Sequence, residues 1–431
     1  MLTLIALISL LPTSDLIIDG YSDRLSVKPG DSITLYVNVR QASMDYNLKL
    51  YDLGNTEVAQ FKVQVAPQEK TNRKAWEEGF GYKATARILI PNLKSGVYLW
   101  EGKIPLVVRG AQPKTIILYS SNTENAYCPA GGKSLYGFNS TGGKMASKVS
   151  FLRPIPLPKH SEEFLRWINN KNLKDVGYIT DMDMDNYNEI KSADLLIIPG
   201  HNEYWTLQAR KNFDRFVNSG KNALILSGNT MWWQVRYEEN NTQLVCYRNA
   251  DDDPIESPKL KTINWNQRQL DYPIINSIGV DFSLAGFGLI HTDKGWDGYK
   301  IVNGNSPLLE GVNLKKGDII PLPSDEYDGT LVSGFTGRVS PVADRKALGF
   351  DKIEIVGYDS TYRLGSDLMA TWIVFKKSKT SGIIINTATT DWCSGRGMRN
   401  QDIQKITLTM IRKLLNGENV FSPSKEVMVF N

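Results

Sequence analysis

The chain has 431 residues, 41% hydrophobic and 22% charged, enough for about two or three globular domains with sizeable cores. Its 50 Lys and Arg residues against 46 Asp and Glu give a net charge of +4, with no basic stripe or long like-charge run, which excludes the electrostatic footprint of a nucleic-acid binder. The three cysteines, Cys128, Cys246 and Cys393, lie far apart without CxxC spacing, so they signal free thiols rather than a disulfide framework or a zinc cage.

The apolar run from Leu2 to Leu11, followed by Pro12-Thr13-Ser14, has the length of a signal peptide and is too short to span a bilayer as a helix. Residues 1–14 are therefore expected to direct export to the periplasm or the medium. No Lys or Arg precedes the run, which keeps an apolar N-terminal strand or a misplaced start, with a cytoplasmic location, as the alternative. No other segment approaches the roughly 18 uninterrupted apolar residues of a membrane-spanning helix.

Residues 15–109 read as an all-β domain. From Ser26 to Val108 short alternating runs such as Ile33-Thr34-Leu35-Tyr36-Val37 follow one another, separated by turn residues and without a helical period, the pattern of an immunoglobulin-like antiparallel β-sandwich. At the Lys94-Ser95-Gly96-Val97-Tyr98 turn, Tyr98 is expected to pack at a corner.

Residues 110–431 change pattern. Strands at Thr115 to Leu118, Val176 to Ile179, Leu195 to Ile198 and Asn222 to Leu226 alternate with helical stretches at Ser161 to Asn169 and Leu207 to Asn218, which predicts an α/β domain with a mostly parallel sheet covered on both faces. Thr206 is placed to cap the second helix, and Ser219-Gly220 to end it. Residues 234–350 read as a long, largely irregular insertion over the site, since such insertions are often functional. The sheet pattern resumes at Ile353 to Val356, Ala370 to Phe375 and Gly382 to Asn386, and a helix from Gln401 to Leu415 closes the chain. The predicted fold class is α/β with an N-terminal all-β domain.

The segment Asp194 to Trp205 concentrates chemistry. The apolar strand Leu195-Leu196-Ile197-Ile198 breaks at Pro199-Gly200 and delivers His201, Asn202, Glu203, Tyr204 and Trp205. Ligands of open α/β sheets collect outside the carboxyl ends of the strands, so this cluster is placed like a site. The bland alternative has His201 and Glu203 capping the next helix. The adjacent strand end, Ser227-Gly228-Asn229-Thr230, sits where amidotransferase-like folds put a nucleophile, but it lacks G-x-S-x-G spacing. Asp181, Asp183 and Asp185 alternate without the glycine and distal glutamate of a calcium loop and read as a solvated strand end.

Several motifs carry a family resemblance: Tyr119-Ser-Ser-Asn-Thr-Glu-Asn-Ala-Tyr127, Gly131-Gly-Lys-Ser-Leu-Tyr136, Val149-Ser-Phe-Leu-Arg-Pro154, Tyr178-Ile-Thr-Asp-Met-Asp183, Pro199-Gly-His-Asn-Glu-Tyr-Trp205, Gly228-Asn-Thr-Met-Trp-Trp-Gln-Val-Arg236, Val245-Cys-Tyr-Arg248 and Thr389-Thr-Asp-Trp-Cys393. Together they resemble the N,N-dimethylformamidase large-subunit family. The resemblance implies a β-sandwich followed by an α/β domain similar to class I glutamine amidotransferases. It also implies a mononuclear iron, held by two tyrosines and a glutamate, that hydrolyses a small amide. Carried onto this chain, Glu203 is the carboxylate ligand. Tyr127 and Tyr136 are the first and second choices for the tyrosines, with Tyr98 and Tyr119 as alternatives. His201 becomes an acid/base or supporting group, and Asn229 and Glu326 substrate-orienting or acid/base groups. Arg248 stands where a lysine is expected, a departure that leaves the formamidase substrate open.

Such a set is chemically coherent, because a phenol with an ordinary pKa of about 10 ionises readily only beside a strong positive charge. Three hard oxygen donors favour iron over zinc, which usually recruits histidine or cysteine. With 19 tyrosines in the chain, Tyr127 and Tyr136 also have ordinary packing roles to fill. Two functions are expected: an iron-assisted hydrolase of a small amide or related C–N bond, assisted by a small subunit or a second copy, or a binding protein that holds a carbohydrate or other polar ligand without turnover.

Overall fold

The computed structural model describes residues 16–171, 173–333 and 340–423; the expected signal at 1–14 lies outside them. Two small sheets open the chain. One orders strands Ile17–Ser22, Ser32–Val39 and Ala86–Leu89, and the other Ser26–Val27, Ile104–Val108, Gly96–Trp100, Met44–Asp52 and Glu57–Val65. Alternation in Ser32–Val39 sends Ile33, Leu35 and Val37 inward, where they meet Leu48, Leu50, Ile88, Trp100 and Leu106 from both sheets in one apolar layer. Tyr98 packs in that layer and donates its hydroxyl to the Lys94 carbonyl at 2.8 Å.

The rest is built on an 11-stranded mixed sheet. Its parallel part runs Val176–Thr180, Thr115–Tyr119, Leu195–His201, Asn222–Gly228, Ile383–Asn386. Successive residues of the two central strands point into different cores. Leu195, Ile197, Leu224 and Leu226 meet the helices Glu162–Asn169 and Gln401–Asn416, while Leu196, Ile198, Ala223 and Ile225 meet Leu207–Asn218. Burial on both faces is why these strands read as unbroken apolar runs, and each fully buried Leu or Ile contributes about 1.5–3 kcal/mol. Thr206 caps Leu207–Asn218 by accepting from the Ala209 N–H.

Beyond Ile383–Asn386 the sheet is antiparallel, through Ser366–Lys376, Lys352–Arg363, Asp281–Phe287 and Glu326–Gly329, with Gly298–Ile301 and Ile319–Pro321 alongside. A mostly parallel sheet therefore describes only one half. The other half returns by hairpins, such as the tight Arg363-Leu364-Gly365-Ser366 connection with Leu364 and Gly365 at φ 49° and 84°. Between 234 and 350 the chain is more regular than its composition suggests. It supplies sheet strands whose alternation is interrupted, as where the register of Asp281–Phe287 shifts before Gly286.

Strand order creates the site. Thr115–Tyr119 leads to Val176–Thr180 on one side, and the chain then crosses back to place Leu195–His201 on the other. The carboxyl ends of Thr115–Tyr119 and Leu195–His201 thus flank a topological switch point, where α/β sheets open a crevice. Among the described residues no helix is long and apolar enough to cross a membrane.

Close packing fixes the neighbouring strand end. A Cβ on Gly228 would stand 2.5 Å from the Thr390 nitrogen, 2.7 Å from the Thr389 carbonyl carbon and 2.9 Å from the Glu326 oxygen. Gly228→Ala is expected to lower the unfolding free energy by about 1–3 kcal/mol through backbone displacement, measured by chemical denaturation; an unchanged midpoint would contradict this packing.

Candidate active site

Glu203 is 2% exposed and collects hydroxyls from two separate segments. The Tyr127 hydroxyl donates to Oε2 at 2.9 Å, and the Tyr136 hydroxyl lies 2.9 Å from both Oε1 and Oε2. The two phenol rings lean together, 4.1 Å between centroids. A further phenol, Tyr204, donates to the Tyr136 oxygen at 2.7 Å and accepts from Arg248 Nη2 at 2.6 Å. The Arg248 guanidinium lies 4.0 Å above the Tyr136 ring centroid and 5.0 Å from that of Trp233. On another side, His201 Nε2 stands 3.4 Å from Glu203 Oε2 and 3.5 Å from Glu326 Oε2. It is buried without a hydrogen-bond partner. Asn229 Nδ2 donates to Glu326 Oε2 at 3.0 Å, leaving its buried Oδ1 unpartnered.

Local structure sets these positions. Tyr127 ends the helix Ser121–Tyr127 that follows the first parallel strand. Tyr136 is held by its own turn: its N–H donates to Ser134 Oγ at 2.9 Å and its carbonyl accepts from Ser140 Oγ at 2.6 Å. Asn139 Nδ2 ties this turn to the Tyr127 carbonyl at 2.7 Å. Beneath both segments, fully buried Arg153 donates to the carbonyls of Asn125, Ala130 and Lys133 at 2.6–3.0 Å. Arginine suits this task because its guanidinium offers five donors in a rigid fork. The Glu203 N–H donates to Thr123 Oγ1 at 3.0 Å, and its carbonyl accepts from the Trp233 N–H at 2.9 Å. Tyr204–Thr206 then joins a small sheet with Trp233–Glu238, Gln243–Val245 and Lys148–Ser150, which brings Tyr204 and Arg248 to the same place. Asn229, Met231 and Arg248 hold left-handed φ values of 47°, 60° and 63°, a conformation that costs non-glycine residues energy and clusters at functional sites.

A family profile described as N,N-dimethylformamidase beta subunit-like, C-terminal, matches residues 43–402. The chain belongs to this family. No curated protein matches it. Among solved structures it is similar to a ThuA-like protein from Bacteroides uniformis ATCC 8492, at 12% identity over 73% of this chain and 96% of that one, with a TM-score of 0.34.

In this dimethylformamidase-like chain, burial drives Tyr127 and Tyr136 well above the usual phenol value, and the Glu203 charge adds to it. Both phenols therefore remain donors near neutral pH. Burial would also raise Glu203, but His201, Arg248 and the Tyr136 hydroxyl outweigh it and hold this carboxyl below its ordinary value. Burial opposes a charge on His201, yet Glu203, Glu326 and Glu124 raise it to about 9. Glu326 is raised by burial, with His201 opposing and Glu203 adding. Burial carries Glu124 to about 8 and Asp181 to about 7.

The structure gathers Glu203, Tyr127, Tyr136, His201, Glu326, Asn229 and Arg248 within one network of contacts. It does not bring in Tyr98, which serves Lys94, or Tyr119, whose hydroxyl is buried without a partner. Helix capping is not what His201 and Glu203 do, since Thr206 takes that role. Asp181 is not a solvated end; it is 4% exposed and accepts from the Asn122 N–H, Ser121 Oγ and Asn202 Nδ2. All three cysteines are buried and unpaired. Among the described residues no three His, Cys, Asp or Glu side chains group as a metal site. Tyr204 was named from sequence in the strand-end cluster but given no role; the structure places its hydroxyl between Arg248 and Tyr136.

Glu124 and Asp181 keep a proton in the folded chain over a pH range where the unfolded chain has released it, so stability falls as pH rises through that range. His201 acts in the same sense: its contribution is full below 6.5 and lost as pH rises through about 9. Denaturant midpoints are expected to decline between about pH 6.5, above which buried His160, lowered to about 4, no longer opposes the trend, and pH 9, with Glu124→Gln flattening the decline up to about pH 8. A constant wild-type midpoint, or a variant with the wild-type slope, would contradict these assignments.

Proposed function

We propose that this dimethylformamidase-like protein hydrolyses the C–N bond of a small amide at a mononuclear iron held by Glu203, Tyr127 and Tyr136. The observation that carries the proposal is the convergence of two phenols from separate segments, each 2.9 Å from one buried carboxylate. The donor set fits: three hard oxygens suit ferric iron better than zinc. Bound iron would supply Lewis-acid polarisation of the amide and an activated water.

The chain's own residues provide the remaining functions. His201, between Glu203 and Glu326, is raised to about 9, so near neutral pH it carries protons on both ring nitrogens and can pass one to the leaving amine. Glu326, buried and raised, can take and return a proton beside it. Asn229 fixes Glu326 through Nδ2 and presents Oδ1 as an acceptor that orients substrate. Arg248 keeps a positive charge against the phenols.

We extend the proposal to architecture and assembly. Residues 15–109 form an immunoglobulin-like sandwich and 110–431 an amidotransferase-like domain, supported by the two sheets with a shared apolar layer and by the parallel half with its switch point. The family's description as beta subunit-like supports assembly with a small subunit.

Elemental analysis of protein produced with iron is expected to give about one iron per chain, lost in Glu203→Ala, together with amine release from small amides. Glu326→Gln is expected to keep the metal and lower kcat by about 10²–10⁴-fold. Wild-type protein that takes up no metal would overturn the proposal.

A further inference from the structure

Tyr204 is 1% exposed, yet its hydroxyl is fully used. Arg248 Nη2 lies 2.6 Å from it and the Tyr136 oxygen 2.7 Å from it. The direction of each bond in this chain is fixed from both ends. Arginine has no acceptor, so the Tyr204 oxygen must accept from Arg248. The single Tyr204 proton is then left for the Tyr136 oxygen. An ionised carboxylate only accepts, so the Tyr136 proton goes on to Glu203, to which it stands 2.9 Å from both oxygens. The series therefore runs one way, from Arg248 through Tyr204 and Tyr136 to Glu203.

We infer that Tyr204, polarised by Arg248, is a positioning residue that holds the Tyr136 oxygen by a donated hydrogen bond and tunes it as a ligand. The inference rests on the Tyr/Tyr/Glu assignment for its chemical meaning. Donation to Tyr136 does not depend on whether Tyr136 keeps its own proton, because the Tyr204 proton has no other partner here. Hydrogen bonds onto an ionised oxygen are about twice as strong as neutral ones, so Tyr204 grips hardest when Tyr136 faces a cation. The scaffold supports this role. Tyr204 packs among Leu135, Val149, Val235, Leu244 and Cys246, while Arg248 is locked by its left-handed backbone and its stacking on Tyr136 and Trp233.

The test places 3-fluorotyrosine at position 136 of the full chain and reads its fluorine resonance. Tyr204→Phe removes one oxygen and keeps the ring, and it is expected to shift the resonance. Tyr272→Phe, which removes a hydroxyl bonded to Asp214, is expected to leave it in place. Should Tyr204→Phe fail to fold, Arg248→Lys keeps a cation near the ring while withdrawing the fork from Tyr204, and is expected to move the resonance too. A resonance unmoved by Tyr204→Phe, or by Arg248→Lys in its stead, overturns the inference. In iron-loaded protein the phenolate-to-iron charge-transfer band is expected at lower energy in Tyr204→Phe than in wild type. A wild-type protein without such a band sinks the iron assignment, and the fluorine result still decides the positioning role.

Discussion

One buried carboxylate organises this molecule's crevice. Removing a carboxylate from water costs several kcal/mol unless charge and hydrogen bonds replace the lost hydration. At Glu203 the replacement comes from Tyr127, Tyr136 and the neighbouring His201 and Arg248 charges. Because Tyr127, Tyr136 and Arg248 each arrive from a segment other than the one that carries Glu203 and His201, the carboxylate is satisfied only when the surrounding fold is in place. A helix end, a glycine-rich turn, two strand ends and a small accessory sheet are all held to its requirements.

The scaffold answers those requirements with rigid polar links. Arg153 spends its guanidinium on three carbonyls of the segments that carry Tyr127 and Tyr136, and Asn139 joins them directly. Loops that would otherwise move independently are thereby fixed relative to Glu203. On the opposite flank, Asp328 accepts from the N–H groups of Asn229 and Thr230, which holds the Asn229 turn against the strand that carries Glu326. Preorganisation of this kind is what electrostatic catalysis requires, since donors and charges must be aimed before the reaction begins.

Much of this was legible in the residues themselves. Leu195 to Ile198 could be read as a central strand because burial on both faces leaves an unbroken apolar run, and His201 and Glu203 stood out because ligands of open α/β sheets collect outside the carboxyl ends of the strands. Tyr127 and Tyr136 were legible only through their motifs, since a buried tyrosine that packs and one that serves Glu203 have the same local pattern. The role of Tyr204, named in the strand-end cluster, was hidden for a stronger reason: its position in a short buried strand accounts for an aromatic residue, and its hydroxyl acquires meaning only when Arg248 folds back over it. Asp181 misled because alternating aspartates look solvated, whereas the helix from Ser121 to Tyr127 covers the strand end and supplies donors. Of the antiparallel half, the runs at Ile353 to Val356 and Ala370 to Phe375 were read as strands but not as antiparallel, and Asp281–Phe287 escaped because it breaks its own alternation at a bulge.

The most direct measurement is anomalous diffraction at the iron absorption edge from crystals grown with iron. The proposed centre requires a peak roughly 2 Å from the Glu203 carboxylate and from the Tyr127 and Tyr136 phenol oxygens, by analogy with other oxygen-ligated metals. An iron peak bound elsewhere, or phenols still hydrogen-bonded to Glu203 with no peak between them, would contradict it.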